Sequence, residues 1–203
     1  MKQYYERYWE NQEELSDFKY KWPVLKNFIP KDKGTRILDF GCGKGLITKE
    51  ISKINQKAII TGVDVSQEAL KSAKKRVKKA NFTKIYESKK LPFKDASFDF
   101  IIASDVLEHV YDTEFAFSEL GRVLKKDGKI LISVPYNGLI KRVIIALFFF
   151  EMVFQPTSPH IRHFTRGTLI NCLDKVKISE LKTGYYGRFF PLSNGMFVLG
   201  FKK

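Results

Sequence analysis

The chain has 203 residues, of which 44% are hydrophobic, enough to bury one core but hardly two, so we expect a single domain. Its 36 Lys and Arg residues outnumber its 22 Asp and Glu residues, and the formal charge of +14 favours polyanionic partners such as nucleic acid or an anionic membrane. The two cysteines, Cys42 and Cys172, exclude a disulfide framework and a cysteine-based zinc cluster and lead us to expect a cytoplasmic protein. The polar N-terminus does not resemble a signal peptide, and no apolar run approaches the roughly 20 residues of a membrane span.

The first 30 residues are rich in Tyr, Trp and charge, and we expect them to form one or two helices across the edge of the core. From Gly34 onward, apolar runs alternate with amphipathic stretches, which is typical of repeated strand and helix units and of a parallel sheet. The predicted strands are 36–40, 58–63, 84–87, 98–103 and 129–134, with two further candidates near Leu181 and Phe197. The predicted helices are 46–54, 67–80, 113–124 and 168–175, and a turn is predicted at 125–128.

A run of lysines falls on the second predicted helix. Their spacing places them on its outer face, and they are Lys71, Lys74, Lys75, Lys78 and Lys79. We interpret this face as solvated, because charged outer faces are common on surface helices. A polyanion-binding surface is the alternative that the net charge keeps open.

The strongest motif is Ile37-Leu38-Asp39-Phe40-Gly41-Cys42-Gly43-Lys44-Gly45, which ends a predicted strand in an acid and then supplies three glycines before a helix. Glycines allow a sharp turn and a close approach of the backbone to a ligand, and the following helix N-terminus presents unpaired amides. A dinucleotide-binding loop would space its glycines G-x-G-x-x-G, whereas Leu46 stands where the last glycine would be. The spacing favours a different cofactor, and a purely structural turn is the alternative.

Two further features accompany this loop. Asp64 ends the second predicted strand, where a carboxylate can accept hydrogen bonds from both hydroxyls of a ribose. Asp64 or Ser66 could cap the next helix, and we assign the cap to Ser66 and the ribose contact to Asp64. Glu87, followed by the rigid Leu91-Pro92-Phe93 loop, places another acid at the next strand edge.

These motifs, in this order, resemble the class I S-adenosylmethionine (SAM) dependent methyltransferases, specifically the small-molecule, type 11 group with D-x-G-x-G-x-G and L-P-F signatures. The resemblance covers about residues 35–137. It implies an α/β, Rossmann-like fold with a doubly wound, mostly parallel, seven-stranded sheet, helices on both faces, and SAM as the cofactor. The cofactor-binding residues that it implies are Asp39, Gly41, Cys42, Gly43, Asp64, Val65, Glu87, Ser88 and Ser104.

The resemblance also relates these residues to parts of SAM. Asp39 and the glycines would surround the methionine part, Asp64 would hold the ribose, and Val65 would lie on the adenine. Glu87 and Ser88 would meet the adenine edge, although the family more often has Asp at position 87.

On the acceptor side, Ser104 and residues 107–110 would lie near the sulfonium. An oxygen nucleophile must lose a proton during methyl transfer, so a nearby His or Glu can act as general base. The catalytic candidates are His109, Glu108 and His160. Histidines that bond only to backbone are the alternative, and we interpret His163 in that way. The spacing of the histidines indicates no metal site.

Residues 143–150 are eight apolar residues in a row, preceded by Lys141 and Arg142. This segment is too short to cross a bilayer and too apolar for an ordinary exposed loop, so we expect it to be covered. It is a core or dimer helix, a lid over an apolar substrate, or an interfacial helix whose basic residues meet anionic headgroups. The tail after it loosely resembles the ubiquinone-biosynthesis O-methyltransferases, in a His before Phe164-Thr165 and then in residues 183–186. This second resemblance implies a lipophilic or membrane-delivered acceptor.

The expected organisation is one methyltransferase domain, 1–203, in four parts. These parts are a helical cap (1–30), a SAM-binding core (34–137), an apolar insertion (138–164) and a C-terminal helix with the last strands (165–203). Within the cap, the aromatic residues would cover the sulfonium as a lid or pack in an ordinary way, and they are Tyr4, Tyr5, Tyr8 and Trp9.

We therefore expect methyl transfer from SAM to a small-molecule acceptor, lipophilic or membrane-associated, with oxygen slightly favoured. The alternatives are an RNA methyltransferase, a SAM-binding protein without catalysis, and a nucleotide-dependent oxidoreductase. The net charge favours the first of these, but Ser104-Asp105-Val106-Leu107 lacks the two prolines and aromatic that amino-methylating nucleic-acid enzymes share. Peripheral contact with an anionic inner membrane face stays open, and nucleic acid is the less favoured partner.

Overall fold

A computed structural model describes residues 17–136, 138–153 and 161–203. Seven strands run through it, and they are β1 Arg36–Phe40, β2 Ile59–Asp64, β3 Asn81–Lys84, β4 Phe98–Ser104, β5 Leu124–Pro135, β6 Ile178–Tyr186 and β7 Gly195–Lys202. They form one sheet in the order β3-β2-β1-β4-β5-β7-β6. β7 pairs antiparallel with both β5 and β6, and all the other pairs are parallel. The predicted mostly parallel, seven-stranded sheet is confirmed.

Helices cover both faces of this sheet. The described α-helices are α1 Phe18–Leu25, α2 Leu46–Ile54, α3 Gln67–Arg76, α4 Thr113–Val123, α5 Leu139–Phe148, α6 Phe150–Val153 and α7 Arg166–Lys175. Buried residues of α1 and α2 join one hydrophobic cluster, and those of α4 and α7 join the other. β4 contributes to both clusters, because its nearly continuous apolar run faces a helix layer on each side. The sheet is therefore doubly wound.

Three local predictions differ from the structure. The third strand covers Asn81–Lys84, before the predicted 84–87, because these residues pair in register with Thr61 to Asp64 of β2. The helix expected over 67–80 ends at Arg76, so that the chain can turn back into β3. Residues 125–128 belong to β5, although the register with β4 shifts there and Asp127 has a φ angle of +61°. These turn-forming residues produce an irregularity within β5 and do not end the strand.

The strand order reverses between β1 and β4, because β2 and β3 lie on one side of β1 while β4 and β5 lie on the other. In a doubly wound sheet, a ligand crevice lies at such a switch point, outside the carboxyl ends of the strands. The glycine loop after β1, Asp64 at the end of β2 and Ser104 at the end of β4 all lie at this carboxyl edge.

Candidate cofactor and acceptor site

The loop between β1 and α2 turns sharply at Gly41. Its φ angle of +74° is in the left-handed region, and a Cβ atom there would lie 2.3 Å from Cγ2 of Val106. The amide groups of Gly41 and Cys42 donate to the carbonyl oxygen of Val63 at 2.9 and 3.0 Å. The loop is thus tied to the end of β2 and covered by the loop after β4, and only glycine fits at position 41.

Asp39 lies near the end of β1 and is only 2% exposed. Its Oδ2 atom accepts a hydrogen bond of 2.5 Å from the hydroxyl group of Thr48 in α2. Burial raises the pKa of Asp39 to about 7, opposed by the Thr48 hydrogen bond and aided by the nearby charge of Asp64. This carboxyl group therefore changes protonation close to neutral pH.

Asp64 links the glycine loop after β1 to the residues that precede α3. Its Oδ2 accepts from the amide of Gly43 at 2.9 Å, and its Oδ1 accepts from the amide of Ser66 at 2.8 Å. The Ser66 hydroxyl caps α3 by accepting from the amide of Ala69 at 3.2 Å, as the sequence predicts. A carboxylate at this place, with each oxygen able to accept about two hydrogen bonds, is the kind of group that a ribose diol would contact.

Cys42, Val65 and Ser104 complete the inner part of the predicted cofactor site. Cys42 is buried, and burial raises the pKa of its thiol well above the usual range, which keeps the thiol neutral. Val65 is half-buried against the core, next to Asp64. The Ser104 hydroxyl is buried 2.8 Å from the hydroxyl of Ser133 in β5. These residues provide mainly shape and neutral polar groups.

Glu87 and Ser88 follow β3 and are both exposed, and Ser88 has a φ angle of +53°. Arg122 of α4 stabilises the loop formed by Leu91, Pro92 and Phe93. This guanidinium donates to the carbonyl oxygen of Leu91 at 3.1 Å and to that of Phe93 at 2.8 Å. The Leu91-Pro92-Phe93 loop is therefore held rigidly beside the exposed acid.

The catalytic candidates Glu108 and His109 lie on a 3-10 helix after β4, Leu107–His109. Glu108 is 1% exposed, and neither carboxyl oxygen has a hydrogen-bond partner among the described residues. Burial raises its pKa well above the usual range, and the neighbouring charge of Asp105 acts in the same direction. The Nε2 atom of His109 lies 3.9 Å from Oε1 of Glu108. Burial therefore favours the protonated form of Glu108, which lies beside a histidine.

A buried ion-pair cluster at the same edge was not predicted from the sequence. The ammonium group of Lys21 in α1 is fully buried, donates to Asp105 just after β4 and lies 3.4 Å from Asp17. Burial alone would lower the pKa of Lys21, but these two carboxylates raise it. The other oxygen of Asp105 accepts from the hydroxyls of Ser133 at 3.1 Å and Tyr186 at 3.4 Å. The cluster joins α1 to β4, β5 and β6.

One signal for Lys21 is present in the sequence. Lys21 precedes Leu25 by four residues, which places both on one face of a helix, and Leu25 is fully buried. Asp105 offers no such signal, because its left-handed φ angle of +50° and its partner 84 residues away depend on the tertiary fold.

The remaining predicted residues lie partly outside the described ranges. His160 and the four N-terminal aromatic residues, Tyr4, Tyr5, Tyr8 and Trp9, lie outside the described residues. His163 is exposed, and partial burial together with the nearby charge of Arg142 lowers its pKa. The backbone amides of Ile161 and Arg162 donate to the carbonyl of Glu108 at 3.1 and 3.0 Å. The segment that follows His160 therefore lies against the acceptor loop.

The apolar segment forms α5 and α6, and neither helix has a buried residue. Packing in the core, one of the predicted alternatives, is therefore wrong. Its exposed residues, all at least 37% accessible, are Leu139, Ile140, Val143, Leu147, Phe148, Phe149, Phe150, Met152 and Val153. The ammonium group of Lys141 donates to the carbonyls of Tyr136 at 2.8 Å and Ser193 at 3.2 Å. Lys141 thus anchors α5 to the sheet, which leaves Arg142 as the exposed cation of the pair.

Within the described ranges, no group of three or more His, Cys, Asp or Glu side chains could hold a metal ion. Across the same part of the chain, no helix has both the length and the apolar character needed to cross a bilayer.

Comparison with known proteins agrees with this geometry. Residues 38–132 match a protein family described as a methyltransferase domain. An uncharacterized protein of Methanocaldococcus jannaschii is 38% identical over 58% of this chain and 51% of its own length. A ubiquinone biosynthesis O-methyltransferase of Coxiella burnetii is 31% identical over 68% of this chain and 61% of its own length. The chain thus spans about half to three fifths of these curated relatives.

The crystal structure of a SAM dependent methyltransferase from Aquifex aeolicus superposes with a TM-score of 0.75. It covers 97% of this chain and 98% of that one at 17% identity, so it shows the fold alone. SAM is the cofactor that this family and fold imply, and the Asp64 carboxylate beside the glycine loop fits its ribose. Residues 38–132 therefore match a methyltransferase domain, in a chain with the fold of SAM-dependent methyltransferases.

Proposed function

We propose that the protein transfers a methyl group from SAM to the oxygen of a small, lipophilic acceptor. The observation that carries the proposal is the set of polar groups at the carboxyl edge, where Asp64 and the glycine loop face the same crevice as the acceptor loop after β4. SAM supplies an already activated methyl group, so the chain has to align the two reactants and exclude water.

The cofactor would be held mainly by Asp64 and the backbone of the glycine loop. Asp64 accepts from the amides of Gly43 and Ser66, and its carboxylate is the group that we assign to the two ribose hydroxyls. The methionine part would lie beside Asp39, and the adenine would lie between Val65 and the exposed pair Glu87 and Ser88.

We propose that His109 is the general base that removes the proton from the oxygen of the methyl acceptor. Burial favours the protonated form of Glu108, so we assign the role of base to His109 and not to Glu108. The variants His109→Gln and Glu108→Gln distinguish the two candidates. We expect the first to lower kcat by about 10²-fold or more, and the second to leave kcat within a few-fold. The reverse order would assign the base to Glu108.

A lipophilic acceptor is supported by the exposed apolar surface of α5 and α6, which follow the carboxyl end of β5 and so lie at the edge that carries the site. The curated relatives from Coxiella burnetii are named for methylation of an oxygen in ubiquinone biosynthesis. On the same surface we propose a peripheral contact with an anionic membrane, in which the apolar side chains enter the interface and Arg142 meets headgroups.

The deciding experiment is transfer of labelled methyl groups from SAM into a host-cell lysate that is then separated into lipid, small-molecule, protein and nucleic-acid fractions. Label in the lipid or small-molecule fraction is the expected result. Label in RNA would replace the proposal with an RNA methyltransferase. An absence of label, combined with SAM binding by calorimetry, would indicate a SAM-binding protein without catalysis.

A further inference from the structure

Positive charge is concentrated in one part of the chain. Residues 49–90 contain 12 Lys and Arg residues and 4 Asp and Glu residues, an excess of +8 out of the total of +14. This stretch contains α3 and most of α2, together with β2 and β3 at one side of the sheet. More than half of the net positive charge therefore belongs to this side of the sheet and its helices.

A groove of about 340 Å³ lies on this surface, between the last residues of α2, the start of β2 and the end of α3. Its lining contains four cations, Lys53, Arg76, Lys78 and Lys79, and no carboxylate. Lys53 is paired with Glu50 at 2.6 Å. The other three cations have no ion pair among the described residues, and both Lys78 and Lys79 are exposed. The groove therefore has a strong, largely uncompensated positive potential.

Helix ends explain only part of this pattern. Cations in the last turn of a helix are favourable because the carboxyl end of the helix dipole is negative, and this accounts for Lys53 and Arg76. Lys78 and Lys79 lie beyond the end of α3, so they are not among the cations that the last turn of the helix favours. The helix dipole thus accounts for Lys53 and Arg76 but not for Lys78 and Lys79.

The groove lies away from the candidate cofactor site. It is at the amino end of β2, whereas the glycine loop, Asp64 and α5 follow the carboxyl ends of parallel strands. The six residues of β2 span about 20 Å, which is about two and a half times the Debye length at physiological salt.

We propose that the groove binds the phosphodiester backbone of a single-stranded nucleic acid. Both neighbouring helices present their carboxyl ends, so no cradle of amide groups holds one phosphate tightly. No aromatic side chain lines the groove, so bases are not stacked. Several lysines along an open groove instead favour a chain of phosphates, bound without sequence preference and with strong dependence on salt. The strand is docked at the edge opposite the methyl-transfer site, and it is not the acceptor.

The test uses the full chain and two fluorescein-labelled 20-nucleotide probes, oligouridine and oligothymidine, with binding followed by anisotropy from 50 to 200 mM salt. The groove variant is Arg76→Glu/Lys78→Glu/Lys79→Glu. The matched control, Lys126→Glu/Lys129→Glu/Lys203→Glu, changes the net charge equally at three exposed lysines outside the groove. We expect at least tenfold weaker binding for the groove variant at low salt, and a slope of log affinity against log salt that is shallower by about 2. The control should bind within about threefold of the natural sequence.

Four outcomes would overturn the proposal. These are no binding by the natural sequence at 50 mM salt, equal losses in the two variants, a tenfold preference for one sugar, and equal competition by polyglutamate of the same charge. The last outcome would assign the groove to an acidic protein segment. The groove variant should still bind SAM as the natural sequence does, which shows that it folds.

Discussion

The cofactor edge and the apolar helices α5 and α6 are adjacent in the fold but were predictable to different degrees. At the cofactor edge, short hydrogen bonds link the loops, and Asp64 accepts from the amides of both Gly43 and Ser66. In α5 and α6, the helical conformation follows from the sequence, but no residue is buried. A hydrogen-bonded loop is specified by its own residues, whereas the burial of an apolar helix depends on what packs against it.

The strongest test of the first region is Gly41→Ala. The added methyl group would lie 2.3 Å from Val106, and the residue would also have to keep a φ angle of +74°. Left-handed strain and overpacking each cost about 1–3 kcal/mol, so we expect the free energy of unfolding to fall by about 4 kcal/mol. Urea denaturation followed by circular dichroism measures this change.

The control is Gly34→Ala, since Gly34 has a φ angle of +79° but no atom within 4 Å of its added Cβ. It should lose only the conformational part, about 1 kcal/mol. The double variant Gly41→Ala/Val106→Ala should recover part of the loss because it removes the contacting side chain. Equal losses at Gly34 and Gly41 would show that the loop after β4 does not pack on the glycine.

Asp64→Ala tests whether the same edge binds the cofactor. Hydrogen bonds to a charged group contribute about 1.5–3 kcal/mol each, so loss of the two ribose contacts should weaken SAM binding by at least about 100-fold. Calorimetric titration measures the affinity. Asp64→Asn keeps one acceptor oxygen without the charge, so its affinity for SAM should lie between those of the natural sequence and Asp64→Ala. Unchanged affinity in a folded Asp64→Ala protein would contradict the ribose assignment.

The sequence predicted the glycine loop and the Ser66 cap because each depends on residues close together in the chain, whereas the mostly parallel, seven-stranded sheet was expected from the family resemblance. β3 was misplaced because its position is set by pairing with Thr61 to Asp64 of β2, and its own four residues carry a weak strand pattern. The Lys21–Asp105 ion pair could not be predicted, since its partners are 84 residues apart. At the site, the positions of the predicted cofactor residues followed from topology, whereas the burial of Glu108 and the exposure of Glu87 required the tertiary structure.

Burial at the cofactor edge also predicts a dependence of stability on pH. The pKa of Asp39 is raised from 3.8 to about 7 in the folded protein, so between these values the folded state binds more protons than the unfolded chain. The free energy of unfolding therefore falls as pH rises through this window, by about 2 kcal/mol between pH 5 and pH 7. Asp39→Asn should remove this contribution. Identical pH profiles of urea unfolding for both proteins, measured without SAM, would show that Asp39 is ionised throughout.

The smallest effect on stability is expected in α5, where Leu147 and Phe148 are 69% and 73% exposed. Leu147→Glu/Phe148→Glu should change the free energy of unfolding by less than about 0.5 kcal/mol, because neither side chain packs against the core. The same variant should nearly abolish sedimentation with phosphatidylglycerol vesicles at low salt, since insertion of each apolar side chain contributes about 1.5–3 kcal/mol. Leu181→Glu/Tyr86→Glu places the same charges at exposed apolar residues of β6 and the loop after β3, so it should retain binding. If the α5 variant binds vesicles normally but loses several kcal/mol of stability, α5 is covered by protein in solution, and the contrast between the two regions disappears.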